Sequence, residues 1–179
     1  MSPKTKRGPA ADITVETPDG IVKGYAPGEE RPLGSYAVLT GIYGGGVGAA
    51  VFALSRTRRD VPADVSLKDV LLIGTATHKL SRLIAKDKVT SVFRAPFTRY
   101  EGPAGPGELS ESPRGTGVRL AVGELLGCPY CLGQWVATAL TLGFVAAPRQ
   151  TRIAASIFTA LTVSDFLQLA YKAAEDKAL

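Results

Sequence analysis

Two stretches of this chain carry no charge at all: Pro32 to Ser55 and Leu125 to Pro148, each 24 residues long. A helix that long covers about 36 Å at 1.5 Å per residue, and a bilayer core needs roughly 20 apolar residues. Such runs limit the chain to two environments, the inside of a large globule or a lipid bilayer. Both are rich in Gly, Ala and Thr, and the chain of 179 residues is one domain's worth of material. Hydropathy and pattern together favour the membrane reading, with a buried helix of a soluble protein as the alternative.

From this follows an all-α expectation: a small helical integral membrane protein. The periodicity predicts helices over Leu33–Leu54, Ser66–Ala85, Cys128–Ala147 and Ile153–Tyr171. Four spans are the preferred arrangement. Three spans plus an interfacial second helix are the alternative, since that helix carries Thr75, His78, Lys79, Arg82 and Lys86 opposite its apolar face of Ile73, Ala76, Leu80, Leu83 and Ile84. Residues 1–32 read as a polar, flexible tail, with disorder favoured over a hairpin around Pro18-Asp19-Gly20. Residues 86–119 read as a long basic loop and 172–179 as a polar C-terminal tail, so the membrane domain spans 33–171. No N-terminal signal peptide is visible.

Cations set the orientation of a membrane chain. With four spans and both termini cytoplasmic, fifteen of the 21 Lys and Arg residues fall inside and five outside, with Lys68 at a helix start set aside. Eight of the inside group lie between Lys79 and Arg119. Such a face attracts anionic lipid headgroups. These cations are scattered and lack aromatic interleaving, which argues against nucleic acid as a partner.

The first helix carries Gly41, Gly44, Gly45 and Gly48 at small-xxx-small spacing. Glycines so placed let a second helix approach the backbone closely, which makes this a candidate packing face toward a membrane partner or a second copy.

Polar residues inside apolar helices are costly and need partners. Asp165 in "TVSDFLQ" carries a cost of about 3 kcal/mol at a helix centre. The second and fourth predicted helices run in the same direction, so His78, Arg82 and Asp165 come to the same inner level. Asp87, Arg94 and Glu124 lie close to that level in sequence. The expectation is one interfacial polar cluster, with Arg82–Asp165 as its leading pair. No nucleophile–His–Asp order, nucleotide loop or paired-carboxylate motif surrounds His78, so an accessory role is favoured over an enzymatic one.

The tetrapeptide Cys128-Pro129-Tyr130-Cys131 opens the third helix. A glutaredoxin-type site places such a pair after a strand in a βαβ fold, and no convincing strand precedes Cys128. The favoured reading is structural packing of two small residues at a helix start. Redox or metal sensing is the rival, because N–H groups and the helix dipole stabilise a thiolate there. No cofactor is required. Zinc is the metal the pair would accept, but a tetrahedral site wants four ligands, to be completed by His78, Glu124 or a second protomer's pair.

Three pieces of sequence together, "THKLSRLIAKDKVTSVFRAPFTRYEG", "GELLGCPYCLGQWVA" and "SDFLQ", resemble the bacterial membrane proteins catalogued as domain of unknown function 1360. The matching residues are Arg82, Leu83, Ile84 and Asp87; Arg94, Pro96 and Phe97; and Cys128, Pro129, Cys131, Gly133 and Trp135. The resemblance covers roughly residues 66–171. It implies an integral membrane helical protein of the bacterial inner membrane and no particular activity.

Overall fold

The computed structural model describes residues 25–26, 31–57 and 65–178. The polar tail expected over 1–32, with its hairpin alternative, lies almost wholly outside the described residues. Six helices and one β-hairpin follow in the order α1 (Leu33–Arg56), α2 (Leu67–Lys86), α3 (Ser91–Arg94), β1 (Thr98–Gly105), β2 (Glu108–Pro113), α4 (Gly117–Gly127), α5 (Pro129–Ala146) and α6 (Pro148–Ala178).

Local chemistry explains several of the boundaries. Ser66 caps α2, its hydroxyl oxygen accepting the Asp69 N–H at 3.2 Å, and Asp69 itself suits the positive end of the helix dipole. Pro129 occupies the first position of α5, where its missing N–H costs nothing. The turn into α6 is tighter than the sequence suggests. "PRQTR" reads as a connecting loop, yet α6 begins at Pro148, with only Ala147 separating it from α5. At the other end the polar tail expected after Tyr171 continues the helix to Ala178.

The hairpin amends the all-α expectation. β1 and β2 pair antiparallel with Thr98 opposite Pro113, within the stretch read as loop. Register shifts between Tyr100 and Gly102 and between Pro103 and Gly105 mark two bulges. They accommodate Pro103, which has no N–H to give to a ladder. α4 packs on β2 through Gly123, where a Cβ would stand 2.5 Å from the Phe97 carbonyl oxygen. No other residue fits that approach.

α2, α5 and α6 form the centre of the molecule, and α1 leans on α4 and α5. Four polar ties join α2 to α6 at nearly constant sequence offset. They are Asp69–Arg152 (3.2 Å), Thr159 Oγ1 donating to the Leu72 carbonyl (3.1 Å), Thr162 Oγ1 to the Thr75 carbonyl (3.2 Å), and Lys79–Asp165 (2.6 Å). A constant offset means parallel helices. α5, which precedes α6 through the tight turn, runs the other way. Hydroxyl-to-carbonyl ties of this kind substitute for the hydrophobic effect where helices meet in lipid.

Much of the apolar surface faces outward. Ile42, Val51 and Phe52 on α1, and Ile153, Ile157, Val163, Phe166 and Leu167 on α6, are exposed. Among the described residues, α1 and α6 are each long and apolar enough to cross a membrane, and α4 with α5 makes a third if that pair, bent by 81°, is one span. α2 fails that test because Lys68, Asp69, Lys79, Arg82 and Lys86 all lie within it. Length and composition therefore support two or three spans, fewer than the four expected from the sequence.

Candidate functional site

The polar residues predicted to form one cluster gather at one end of the bundle, but they divide among three places. The first is an open groove of about 740 Å³ between α2, α6 and the hairpin tip, lined among others by His78, Arg82, Asp87, Gly107, Asp165 and Lys172. The expected Arg82–Asp165 pair is not formed. Lys79 takes Asp165 instead, because it lies at that carboxylate's level in the parallel α2–α6 register. Arg82, one turn nearer the end of α2, reaches the hairpin and grips Glu108 with two nitrogens, Nε at 2.9 Å and Nη2 at 2.6 Å. His78 stacks on Phe166 with ring centroids 6.3 Å apart.

The second place is a buried node beneath the groove. Arg94 is 0% exposed and pairs through Nε with Glu111 Oε2 at 2.5 Å. Its Nη1 donates to the Ile84 carbonyl (2.7 Å) and to Thr90 Oγ1 (2.8 Å), and its Nη2 to the Asp87 carbonyl (3.0 Å). Thr90 Oγ1 in turn donates to the Leu83 carbonyl (2.5 Å). The last carbonyls of a helix have no partner within it, and here a guanidinium and a hydroxyl take them. A cation at a helix C-terminus also suits the dipole. The Arg-Leu-Ile-x-x-Asp segment and the Arg-x-Pro-Phe segment are thus two halves of one device: the arginine of the second caps the helix of the first.

The third place is Glu124, which faces away from both. It accepts a hydrogen bond from the Tyr36 hydroxyl and lies 3.7 Å from Arg31. Glu124 therefore ties α4 to the start of α1 and does not join the groove.

Cys128 and Cys131 are free thiols at the bend between α4 and α5. Cys128 is the cap of α5, its sulfur accepting the Cys131 N–H at 3.2 Å. Burial pushes the Cys128 thiol up. Hydrogen bonds from the Cys131 thiol and from the N–H groups of Cys131 and Tyr130, with the nearby Lys86 charge, outweigh it and leave the thiol below its ordinary range. Among the described residues no three His, Cys, Asp or Glu side chains gather as a metal site. His78 stacks on Phe166 and Glu124 accepts from Tyr36, and among the described residues neither ligand considered for zinc gathers with the two cysteines.

The glycine face of α1 meets no described element. A Cβ built on Gly41, Gly44, Gly45 or Gly48 would touch nothing within 4 Å. α1 packs through its other side, where Tyr43 meets Trp135 edge-on (5.0 Å) and bonds Thr138 (2.7 Å).

Sequence reasoning missed Lys79, Glu108 and Glu111 as partners. The signal was present: Pro106-Gly107 is a turn dipeptide, with Glu108 and Glu111 spaced beyond it along one strand.

The family model described as Protein of unknown function (DUF1360) matches residues 72–171. Among curated proteins, the chain is 37% identical over 76 residues to a protein described as "Sporulation protein YjcA" from Bacillus subtilis (strain 168). That match covers 41% of this chain and 64% of the relative, so the chain spans less than two thirds of the relative's length. No solved structure matches the chain.

Proposed function

The chain belongs to the DUF1360 family of proteins of unknown function, and we propose that it is a multi-pass protein of the bacterial inner membrane with a non-enzymatic accessory or scaffold role. In this reading α1, α2, α5 and α6 cross the bilayer. Both termini and the cap made by α3, the hairpin and α4 lie in the cytoplasm.

The observation that carries the reading is the inversion of polarity across the bundle. Large apolar side chains of α1 and α6 point outward, while Asp and Lys or Arg side chains of α2 and α6 pair across their contact and Thr hydroxyls of α6 bond α2 carbonyls. Water would penalise that arrangement and lipid favours it. The alternating helix directions agree with four passes. Lys79–Asp165 allows α2 to sit in lipid despite its charges, since paired ions cost less than lone ones. Cations outside the described ion pairs, such as Lys86, Lys88 and Arg99, give the cap and the end of α2 their attraction to anionic headgroups, about 1 kcal/mol each.

A scaffold role agrees with how the polar groups are used. Lys79, Arg82, Arg94, Asp165, Glu108 and Glu111 are each committed to an ion pair. A topology reporter fused after Arg59 reads out on the outside if this arrangement holds, and a cytoplasmic readout defeats it. Capture of the tagged chain from native membranes tests the role: a defined protein partner or a second copy supports a scaffold, and recovery of lipid alone counts against it.

The cysteine pair supports a second reading, membrane redox or metal sensing. Its basis is the hydrogen-bonded, depressed thiol of Cys128 beside the exposed Cys131. A zinc form of this reading requires a pair from a second protomer.

A further inference from the structure

Where α2 ends, three large apolar side chains stand in the open. Val89 is 78%, Val92 66% and Phe93 74% exposed. They alternate with the buried machinery of the same turn. Arg94, the next residue, is fully enclosed, and Thr90, between them, is bonded to the Leu83 and Asp87 carbonyls. The segment is therefore rigid. Its outward face cannot fold in to hide Phe93, because the Arg94 guanidinium makes four hydrogen bonds and the Thr98 hydroxyl donates to the Arg94 carbonyl.

The depth of this turn can be read from the helix register. Lys79 and Asp165 are level, and α2 and α6 are parallel. Tyr171, six residues beyond Asp165, is then level with Ala85, six beyond Lys79. On α5, which runs antiparallel to α2, a Cβ on Gly133 would stand 4.0 Å from Thr77 Cγ2, so Tyr130, three residues before it and 93% exposed, lies toward the same end. Tyr130, Tyr171 and the Val89–Phe93 turn thus stand toward the same end of the bundle, with Lys86 and Lys88 beside the turn. Exposed aromatics with adjacent cations at the end of apolar helices are the composition of a bilayer–water boundary.

The geometry points to a lipid-seating surface: Val89, Val92 and Phe93 insert into the headgroup–acyl boundary of the cytoplasmic leaflet, with Lys86 and Lys88 on anionic phosphates. This rests on the membrane reading above. The rigid Arg94 node converts the turn into a wedge that fixes the height of the cap over the leaflet. Charge decides between occupants. The apolar triad is flanked by two lysines free of the described ion pairs, which suits an anionic lipid surface.

Tryptophan quenching tests the proposal in the full chain, reconstituted in vesicles of phosphatidylcholine and phosphatidylglycerol with brominated acyl chains. Wild type contains one tryptophan, Trp135, on α5. Phe93→Trp adds a second, and Val92→Trp serves if that variant folds poorly. The expected result is that the added emission is blue-shifted, is lost to the brominated chains and is shielded from aqueous iodide. Loss to iodide but not to bromine places the turn in water and overturns the proposal. Shielding from both means protein covers it, which also overturns it. Trp135 separates the two levels of inference: if brominated lipid quenches neither tryptophan, the membrane reading itself fails. If Trp135 is quenched and the added residue is not, only the wedge fails.

Discussion

Arg94 and Glu111 face each other in a fully enclosed space, Nε to Oε2 at 2.5 Å, and between them they fasten the end of α2 to the second strand of the hairpin. An arginine with no solvent contact is expensive unless each of its donors is used. Here the carboxylate, two carbonyls and one hydroxyl take four of its five N–H groups. The pair makes the α3–hairpin segment a fixed cap rather than a loop.

Removing Arg94 leaves a buried carboxylate without a counter-charge. Arg94→Ala is expected to cost about 3–5 kcal/mol. Arg94→Lys keeps the charge but loses the planar fork, so it should lie between Ala and wild type. Thermal unfolding of the detergent-purified chain measures both. A fully stable Arg94→Ala protein would mean that the cap does not depend on this node.

Two glycines give opposite expectations. Gly123→Ala pushes a methyl toward the Phe97 carbonyl oxygen and separates α4 from the hairpin, at about 1–3 kcal/mol. Gly41→Ala meets nothing within the chain and should stabilise the isolated protomer by about 0.5–1 kcal/mol through helix propensity. If the glycine face of α1 serves a second copy, Gly41→Leu lowers the oligomer fraction in cross-linking while the protomer remains folded.

Asp165 is coupled to Lys79 and not to Arg82. A double-mutant cycle on Lys79→Met and Asp165→Asn should return an interaction of about 0.5–3 kcal/mol. The same cycle with Arg82→Met should return nearly nothing, because that guanidinium is held by Glu108. Equal coupling in both cycles would contradict the register of α2 on α6.

Thiol reactivity should follow the Cys128 cap. Its hydrogen bonds favour the thiolate, so the thiolate persists to lower pH than in an ordinary cysteine. Cys131→Ala, which loses the thiol hydrogen bond that does most to oppose burial, should raise the pH midpoint of the alkylation rate at Cys128; in the intact chain that midpoint, followed by peptide mass spectrometry, should lie below the usual cysteine range. A midpoint above that range would show that burial wins, which favours simple packing of the pair over a sensing role.

The sequence was most informative where the physics is local. Ser66, Pro129 and the uncharged run after Pro32 each mark a helix start by chemistry within a few residues, and those starts stand within a residue or two of where they are read. Depth was legible too. Counting along helices of known direction brings His78, Arg82 and Asp165 to one end, and they line one groove there. Direction around the bundle axis was not legible. Glu124 has the right depth but points to Tyr36 on α1, and that depends on which helix stands next to which. The hairpin escaped notice because Arg99, Glu101, Ser110 and Ser112 give its strands no apolar alternation. What holds it is distant: α4 against β2, and Arg94 on Glu111.

The Lys79–Asp165 pair spans 86 residues of sequence. During synthesis, then, α2 emerges with its lysine unmatched long before the aspartate exists. In a bilayer it would have to wait at the interface, or beside the insertion machinery, until α6 arrives. In the proposed four-pass arrangement the order of integration would then depart from the order of translation: α5 and α6, joined by the single residue Ala147, would enter together as a hairpin, and α2 would settle against them last.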